Sequence, residues 1–571
     1  MLLDLALRMQ RRCLSLLWVC LVAAHLTANE PVRAKHAMVV AQEPIAADVG
    51  LTILKNGGNA VDAAIAVGFA LAVTHPYAGN LGGGGFMLVR LADGTTDFLD
   101  FRECAPQKAS RDMYLDAEGN PTRDSIVGWR SSGVPGSVAG FEAARKKFGS
   151  KSWGELVAPA VKLANEGFPV SAPFASSLNA PHNNLQLDPE SRRIFLRDGH
   201  PYQPGDTLKQ PDLAATLERI EKGGAKGFYQ GETAKRFADA MAAHGGLITL
   251  QDLENYKVVE RSPLTGEYKG FQIITSPPPS AGGIGLLQIM GMLDSTNYES
   301  DGADSAKAVH FEAEAMRRFY ADRSQYMGDP DFYTVPVKML LDPKYLAWRR
   351  STIDPQHATP SDGIGPGLPR AMNAAIFGRE NTETTHYNVV DAKGNAVAVT
   401  YTLNDGYGSG ITVPGLGFLL NDEMDDFVAK PGAPNMFGMV GSDANAIEPG
   451  KRPLSSMTPT IITKDGKLFM VVGAPGGARI TTGVAEVILD VLDFHMNPQD
   501  AVDLPRFHEQ WKPEALYLQN GFSPETEKAL EQMGYQLEPT GGVARVEAIV
   551  VNNGVLEGGT ESRQHGKVAG Y

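Results

Sequence analysis

Thr384-Thr385-His386-Tyr387 stands where a Gly-, Pro- and Asn-rich stretch, residues 363–381, gives way to a strand-like pattern. A threonine hydroxyl inside a chain is a weak nucleophile. Cleavage of the Glu383–Thr384 bond would give Thr384 a free α-amine beside its own hydroxyl, so that one residue held both nucleophile and base. An α-amine with a pKa of about 7.7 to 8.0 suits that task at neutral pH. On residue type alone the plainer reading of Thr384, the first residue of a strand, prevails, and spacing does not establish cleavage. A second feature is Gly473-Ala474-Pro475-Gly476-Gly477, between an apolar strand and an apolar helical segment, residues 480–494. Backbone N–H groups at such a turn can point at an anion, helped by the helix N-terminus; a plain tight turn fits the glycines equally well. Other familiar chemistries are missing. There is no GxSxG, P-loop or CxxC, and the nearest run to HExxH, His508-Glu509-Gln510-Trp511-Lys512, ends in lysine. The 12 histidines are scattered rather than set at ligand spacing, so no metal and no cofactor is expected.

The elements that must hold these residues read as follows. Residues 386–390 and 396–402, rich in β-branched types, flank a turn at 391–395; residues 459–463 and 468–472 form a second hairpin around Lys464-Asp465-Gly466-Lys467. Gly57-Gly58-Asn59 opens an alanine-rich apolar helix over 60–73, stopped by His75-Pro76. The glycine run 82–85 leads into a strand at 86–89, and its glycines imply close backbone approaches. Alanine-rich helical patterns recur at 137–147, 153–166 and 305–320 with no fixed period, so no repeat architecture is expected.

The 571 residues allow three to four domains of about 150 residues, or one large elaborated unit. A net charge of −14 with no long basic block argues against nucleic acid or an anionic membrane surface as partner. Arg8, Arg11 and Arg12 precede an apolar run at 14–24 and the small-residue end Leu26-Thr27-Ala28, the pattern of a cleaved signal peptide; the run is too short for a span. Two of the three cysteines, Cys13 and Cys20, lie in this leader, so Cys104 is left alone in the mature chain and no intrachain disulfide is expected.

Seven stretches in order carry a family resemblance: Asn59-Ala60-Val61-Asp62-Ala63-Ala64, Asn80-Leu81-Gly82-Gly83-Gly84-Gly85-Phe86, Asp100-Phe101-Arg102-Glu103, Thr384-Thr385-His386-Tyr387, residues 421–427, Arg452-Pro453-Leu454-Ser455-Ser456-Met457 and Pro475-Gly476-Gly477. Along nearly its whole length after the leader, the chain resembles the γ-glutamyltransferases of the N-terminal-nucleophile hydrolase superfamily. The resemblance implies an α+β fold, a four-layer αββα sandwich formed jointly by two subunits cut from one precursor. Residues 1–28 would be the signal peptide, 29–383 the large subunit and 384–571 the small subunit. It implies self-cleavage before Thr384, with Thr384 as nucleophile, Thr402 bonded to its hydroxyl, and Gly476 and Gly477 as the oxyanion hole. Arg102, Ser455 and Ser456 would take the glutamyl α-carboxylate, and Asn404, Glu423 and Asp426 the α-ammonium. Arginine suits the carboxylate because its planar fork bonds both oxygens. Residues 430–439 resemble a lid loop with Phe437 as its aromatic gate; a surface loop fits them as well.

The activity implied is transfer of a γ-glutamyl group from glutathione or other γ-glutamyl compounds to water, an amino acid or a dipeptide, by an exported, periplasmic enzyme. An alternative in the same chemistry is a self-processing acylase for glutaryl or cephalosporin side chains, for which an ammonium site would have no purpose. A non-enzyme alternative is a periplasmic binding protein, which would stay one intact chain.

Overall fold

The computed structural model describes residues 29–180, 184–367, 384–563 and 565–571. The leader, Glu383 and most of the 363–381 stretch lie outside the described residues. Two antiparallel sheets dominate. In one, the strands run in the order Lys567–Gly570, Met38–Ala41, Thr385–Val390, Ala396–Thr402, Gly84–Arg90, Thr96–Asp100, Val259–Arg261. In the other the order is Val32–Ala34, Val555–Thr560, Glu547–Asn552, Lys467–Gly473, Thr460–Lys464, Phe271–Thr275, Leu264–Tyr268. Both sheets combine strands from before and after residue 384 as direct neighbours.

Both hairpins read from the sequence form, at Thr385–Val390 with Ala396–Thr402 and at Thr460–Lys464 with Lys467–Gly473. Every residue of the first hairpin's strands is buried. That accounts for strands rich in β-branched and aromatic residues without a regular polar face, where a half-exposed strand would alternate. Inner faces of the two sheets pack on each other through Ala396–Thr402 against Lys467–Gly473 and Thr385–Val390 against Glu547–Asn552. His386 lies in this interface, its Nδ1 bonded to Thr400 Oγ1 at 2.8 Å and its Nε2 to Asn388 Oδ1 at 2.9 Å. Burial drives its pKa down to about 3, so it stays neutral.

Helices cover the outer faces. Ala60–Thr74, buried along its whole length and opened by an Asn59/Asp62 capping box, packs on the Thr385–Val390 hairpin. Its first turn is tied to that hairpin by Ala60 N donating to Asp391 Oδ2 at 3.0 Å. On the other sheet lie Gly282–Leu293 and Ile480–Leu492, with Ala306–Tyr326 packed on the former. The last of these runs six residues beyond the alanine-rich pattern at 305–320. Its final turns, Ala321-Asp322-Arg323-Ser324-Gln325-Tyr326, hold charges that tertiary contacts bury, and composition gives no sign of that. The glycine run acts as expected: a Cβ on Gly83 would lie 2.0 Å from Thr402 O, and one on Gly85 2.4 Å from Thr400 O. Among the described residues no helix is long and apolar enough to cross a membrane.

Candidate active site

Thr384 precedes its strand directly and is buried. Since Thr385 pairs with Tyr401, Thr384 comes opposite Thr402, and its Oγ1 donates to Thr402 Oγ1 at 3.3 Å. Thr402 is fixed from both sides. Its Oγ1 accepts from Asn404 N at 2.8 Å, and its carbonyl accepts from Asn80 Nδ2 at 2.8 Å. Asn80 also receives Gly83 N and Ser137 Oγ on its Oδ1, so the asparagine that opens the glycine motif clamps the end of the second strand. Asn404 has φ of 82°, a left-handed conformation that asparagine tolerates better than most side chains.

The glycine turn is a strand-to-helix junction, as read: Lys467–Gly473 ends, a short 3-10 turn Gly477–Arg479 follows, and Ile480–Leu492 begins. Gly476 has φ of 144° and Gly477 φ of 55°, values that favour glycine. Gly477 lines a small cavity together with Thr384, Thr402, Arg102, Asn404, Glu423, Asp426, Ser455 and Ser456. Of the sequence-derived site residues only Gly476 is outside this lining, one residue away. The cavity measures about 20 Å3, little more than one water needs.

Arg102 is fully buried and saturated with acceptors. Its Nη1 bonds Glu423, its Nη2 bonds Asp426 Oδ2 at 2.5 Å and Leu454 O at 3.2 Å, and its Nε donates to Pro453 O at 3.3 Å. Sequence reasoning put Arg102 and the two carboxyls at opposite ends of a substrate; here they bond one another. Charges removed from water must find partners, and each is the other's nearest. Burial works against the Arg102 charge, but Glu423, Asp426 and Glu103 together hold its pKa above the ordinary value. Burial raises the carboxyls in turn, with Arg102 pulling the other way: Glu423 moves well above the usual range, and Asp426 moves up. Glu103, whose oxygens accept no hydrogen bond and whose nearest cation is Arg102 at 3.9 Å, is pushed up to about 7.

The turn Glu423–Asp426 is held by Asn421, whose Oδ1 accepts from Glu423 N and Gly133 N and whose Nδ2 donates to Gly82 O. Asn80, Asn421 and Glu103 all fall in the quoted motifs, yet no role attached to them; a buried clamp leaves no mark in residue type. The 430–439 segment packs over the cavity. Phe437 is buried and lines it, and the segment's fold is set by Asn435 Oδ1 accepting from Phe437 N and Met439 N and by Asp425 Oδ2 accepting from Met436 N. Cys104 is a free thiol, its pKa pushed up to about 12 by burial.

A sequence profile described as gamma-glutamyltranspeptidase matches residues 46–571. The chain belongs to this family. Among curated relatives, the glutathione hydrolase proenzyme of Escherichia coli (strain K12) is 48% identical over 536 residues, covering 93% of this chain and 91% of that protein. Among solved structures, the Helicobacter pylori gamma-glutamyltranspeptidase is 44% identical with a TM-score of 0.57, covering 58% of this chain and 96% of the matched one. A cephalosporin acylase from Bacillus halodurans is 27% identical with a TM-score of 0.81, covering 96% and 98%. The fold is thus shared across transpeptidase and acylase members, and identity favours the former.

Proposed function

We propose that this member of the gamma-glutamyltranspeptidase family is an exported, periplasmic γ-glutamyltransferase and glutathione hydrolase that cuts itself before Thr384. The observation that carries the reading is the meeting of Thr384 and Thr402 in one cavity with a buried arginine and two carboxyls. The large subunit is residues 29–383 and the small subunit 384–571, the two together building the four-layer αββα sandwich. In the first half-reaction the Thr384 hydroxyl attacks the γ-carbonyl carbon, its proton passing to the Thr384 α-amine. The amide C–N bond then breaks, and the leaving amine takes that proton. Backbone N–H groups of Gly476 and Gly477 hold the oxyanion, each such donor contributing on the order of 3 kcal/mol. Water, an amino acid or a dipeptide next attacks the γ-glutamyl ester and restores Thr384.

The glutamyl head is a zwitterion, and it takes the place of the internal ion pairs one for one. Its carboxylate turns to Arg102, Ser455 and Ser456, and its ammonium to Asn404, Glu423 and Asp426. A glutamyl group does not fit about 20 Å3, so the 430–439 segment, with Phe437, swings away to admit it. The acylase reading is weaker, because a glutaryl head has no ammonium to satisfy Asp426 and Glu423. The test is to sequence the small fragment of the purified protein and to assay glutathione and a γ-glutamyl anilide with and without glycylglycine. A fragment beginning Thr-Thr-His-Tyr, turnover of both donors and stimulation by glycylglycine are expected. An active single chain, or a preference for glutaryl compounds, overturns the reading; Thr384→Ala is expected to stay uncleaved and inactive.

A further inference from the structure

Arg323 lies in the last turns of the helix Ala306–Tyr326 and is only 6% exposed. Its Nε is buried without an acceptor; the opposing charge that acts on it is Asp426, which Arg102 already binds, and its guanidinium makes no hydrogen bond or salt bridge among the described residues. Its buried neighbours are not left this way: Arg317 and Arg318 both pair with Glu314, and Arg349 pairs with Asp322. A buried cation with no direct acceptor is costly, which makes this one a candidate ligand-binding group.

Arg323 lines a cleft of about 900 Å3, the right size for a small peptide. Asp426 and Met439 line both this cleft and the Thr384 cavity. Of the segment between the two spaces, Met436 faces the cleft and Phe437 the cavity, so moving that segment joins them. Of the acidic groups on the cleft wall, Asp405 accepts from Gly406 N, and the other two are hydrogen-bonded away from Arg323, Asp426 acting on it only at longer range. Asp425 accepts from Ser125 Oγ at 2.7 Å and Met436 N at 2.9 Å, and Asp426 bonds Arg102 and, at 3.4 Å, Asn435 Nδ2. Of the other cleft-lining cations, Lys430 donates to Gly119 O, and it and Arg123 are more exposed than Arg323.

On the γ-glutamyl reading of the site, a donor such as glutathione carries two carboxylates. The inner cavity offers Arg102 to the one on the head. The other sits at the far end of the leaving dipeptide, two residues or about 7 Å along an extended chain. We propose that Arg323 binds the terminal carboxylate of the leaving peptide, and of the peptide acceptor that replaces it, so that the cleft selects γ-glutamyl peptides ending in a free carboxylate.

The self-processed wild type, Arg323→Gln and Arg323→Lys are assayed with glutathione and with its glycine carboxamide, and titrated calorimetrically with cysteinylglycine and cysteinylglycinamide. The wild type is expected to favour the acid by about 10- to 100-fold in kcat/KM, mainly through KM. Arg323→Gln brings this ratio near one, and Arg323→Lys leaves an intermediate value. A wild-type ratio near one, or a ratio that Arg323→Gln leaves unchanged, overturns the proposal. Should Arg323→Gln fail to mature, the wild-type ratio and its fall in Arg323→Lys decide the matter. If the wild type turns over neither donor, the γ-glutamyl reading fails. The titration then decides alone: acid binding that exceeds amide binding and depends on Arg323 sustains the proposal, and equal binding overturns it.

Discussion

Thr384 is one of many threonines in the chain, and its distinction is its partner. The pairing of Thr385 with Tyr401 puts Thr402 across from it, and Asn80 and Asn404 keep Thr402 from turning away. The charged residues around them pair internally, Arg102 bonding the same carboxyls that an ammonium would use. Two predictions belong here. Asp426→Ala should lower kcat/KM for γ-glutamyl substrates by about 2 to 5 kcal/mol, the usual effect of truncating a buried charge partner. It should harm a glutaryl analogue, which has no ammonium, far less. Equal damage to both, with processing intact, would remove the ammonium assignment. The second concerns Glu103, pushed up to about 7 from an ordinary 4.5. The native state binds this proton more tightly than the unfolded chain, so the contribution is fully present below pH 4.5 and is lost as pH rises through 7. It amounts to on the order of 3 kcal/mol. Melting temperature measured from pH 4.5 to 8 should fall less in Glu103→Gln than in wild type, and parallel curves would contradict it.

At the scale of elements, the glycine run and the hairpin Thr385–Val390 with Ala396–Thr402 make one unit. Gly83 and Gly85 sit against the carbonyls of Thr402 and Thr400, with no room for a methyl group. In Gly85→Ala the new Cβ would meet Thr400 O at 2.4 Å and the Tyr401 Cα at 2.5 Å, both backbone atoms held in the middle of a sheet. The strand Gly84–Arg90 must then move off Ala396–Thr402, carrying Thr402 with it. We expect Gly85→Ala to destabilise by about 1 to 3 kcal/mol or more and to slow cleavage before Thr384, read as precursor remaining on a denaturing gel. Full processing at wild-type rate would show that the close approach is dispensable. Only glycine fits at these positions, so the residue type itself records the contact in the sequence.

For the whole molecule, the cut before Thr384 would fall inside a shared architecture. Thr385–Val390 pairs with Met38–Ala41, Ala396–Thr402 pairs with Gly84–Arg90, and Thr460–Lys464 pairs with Phe271–Thr275, so strands on opposite sides of the cut share backbone ladders in both sheets. Cleavage of one bond breaks none of these. The two fragments should therefore run as one species on a sizing column in native buffer and separate only in denaturant, and each expressed alone should fail to fold. Elution of the cleaved fragments apart under native conditions would contradict the interleaved sheets.

Local pattern determined much of this protein. The two hairpins, the helix over 60–73, the strand-to-helix glycine turn and the close backbone approaches of the glycine run are all written in short-range periodicity and in residues that only one conformation tolerates. The candidate site residues rest on the family resemblance, most of them lying in the seven stretches that keep its order. What the tertiary structure alone decided is who meets whom. Arg102 and Glu423 are 321 positions apart, and their ion pair, the closed cavity and the protons kept by Glu103 arise from desolvation, which depends on everything packed around a group and on nothing in its own type. The last turns of the helix Ala306–Tyr326 make the same point. Asp322 and Arg323 lie beyond the alanine-rich pattern at 305–320, and the fold buries both, pairing Asp322 with Arg349 and setting Arg323 on the wall of the cleft.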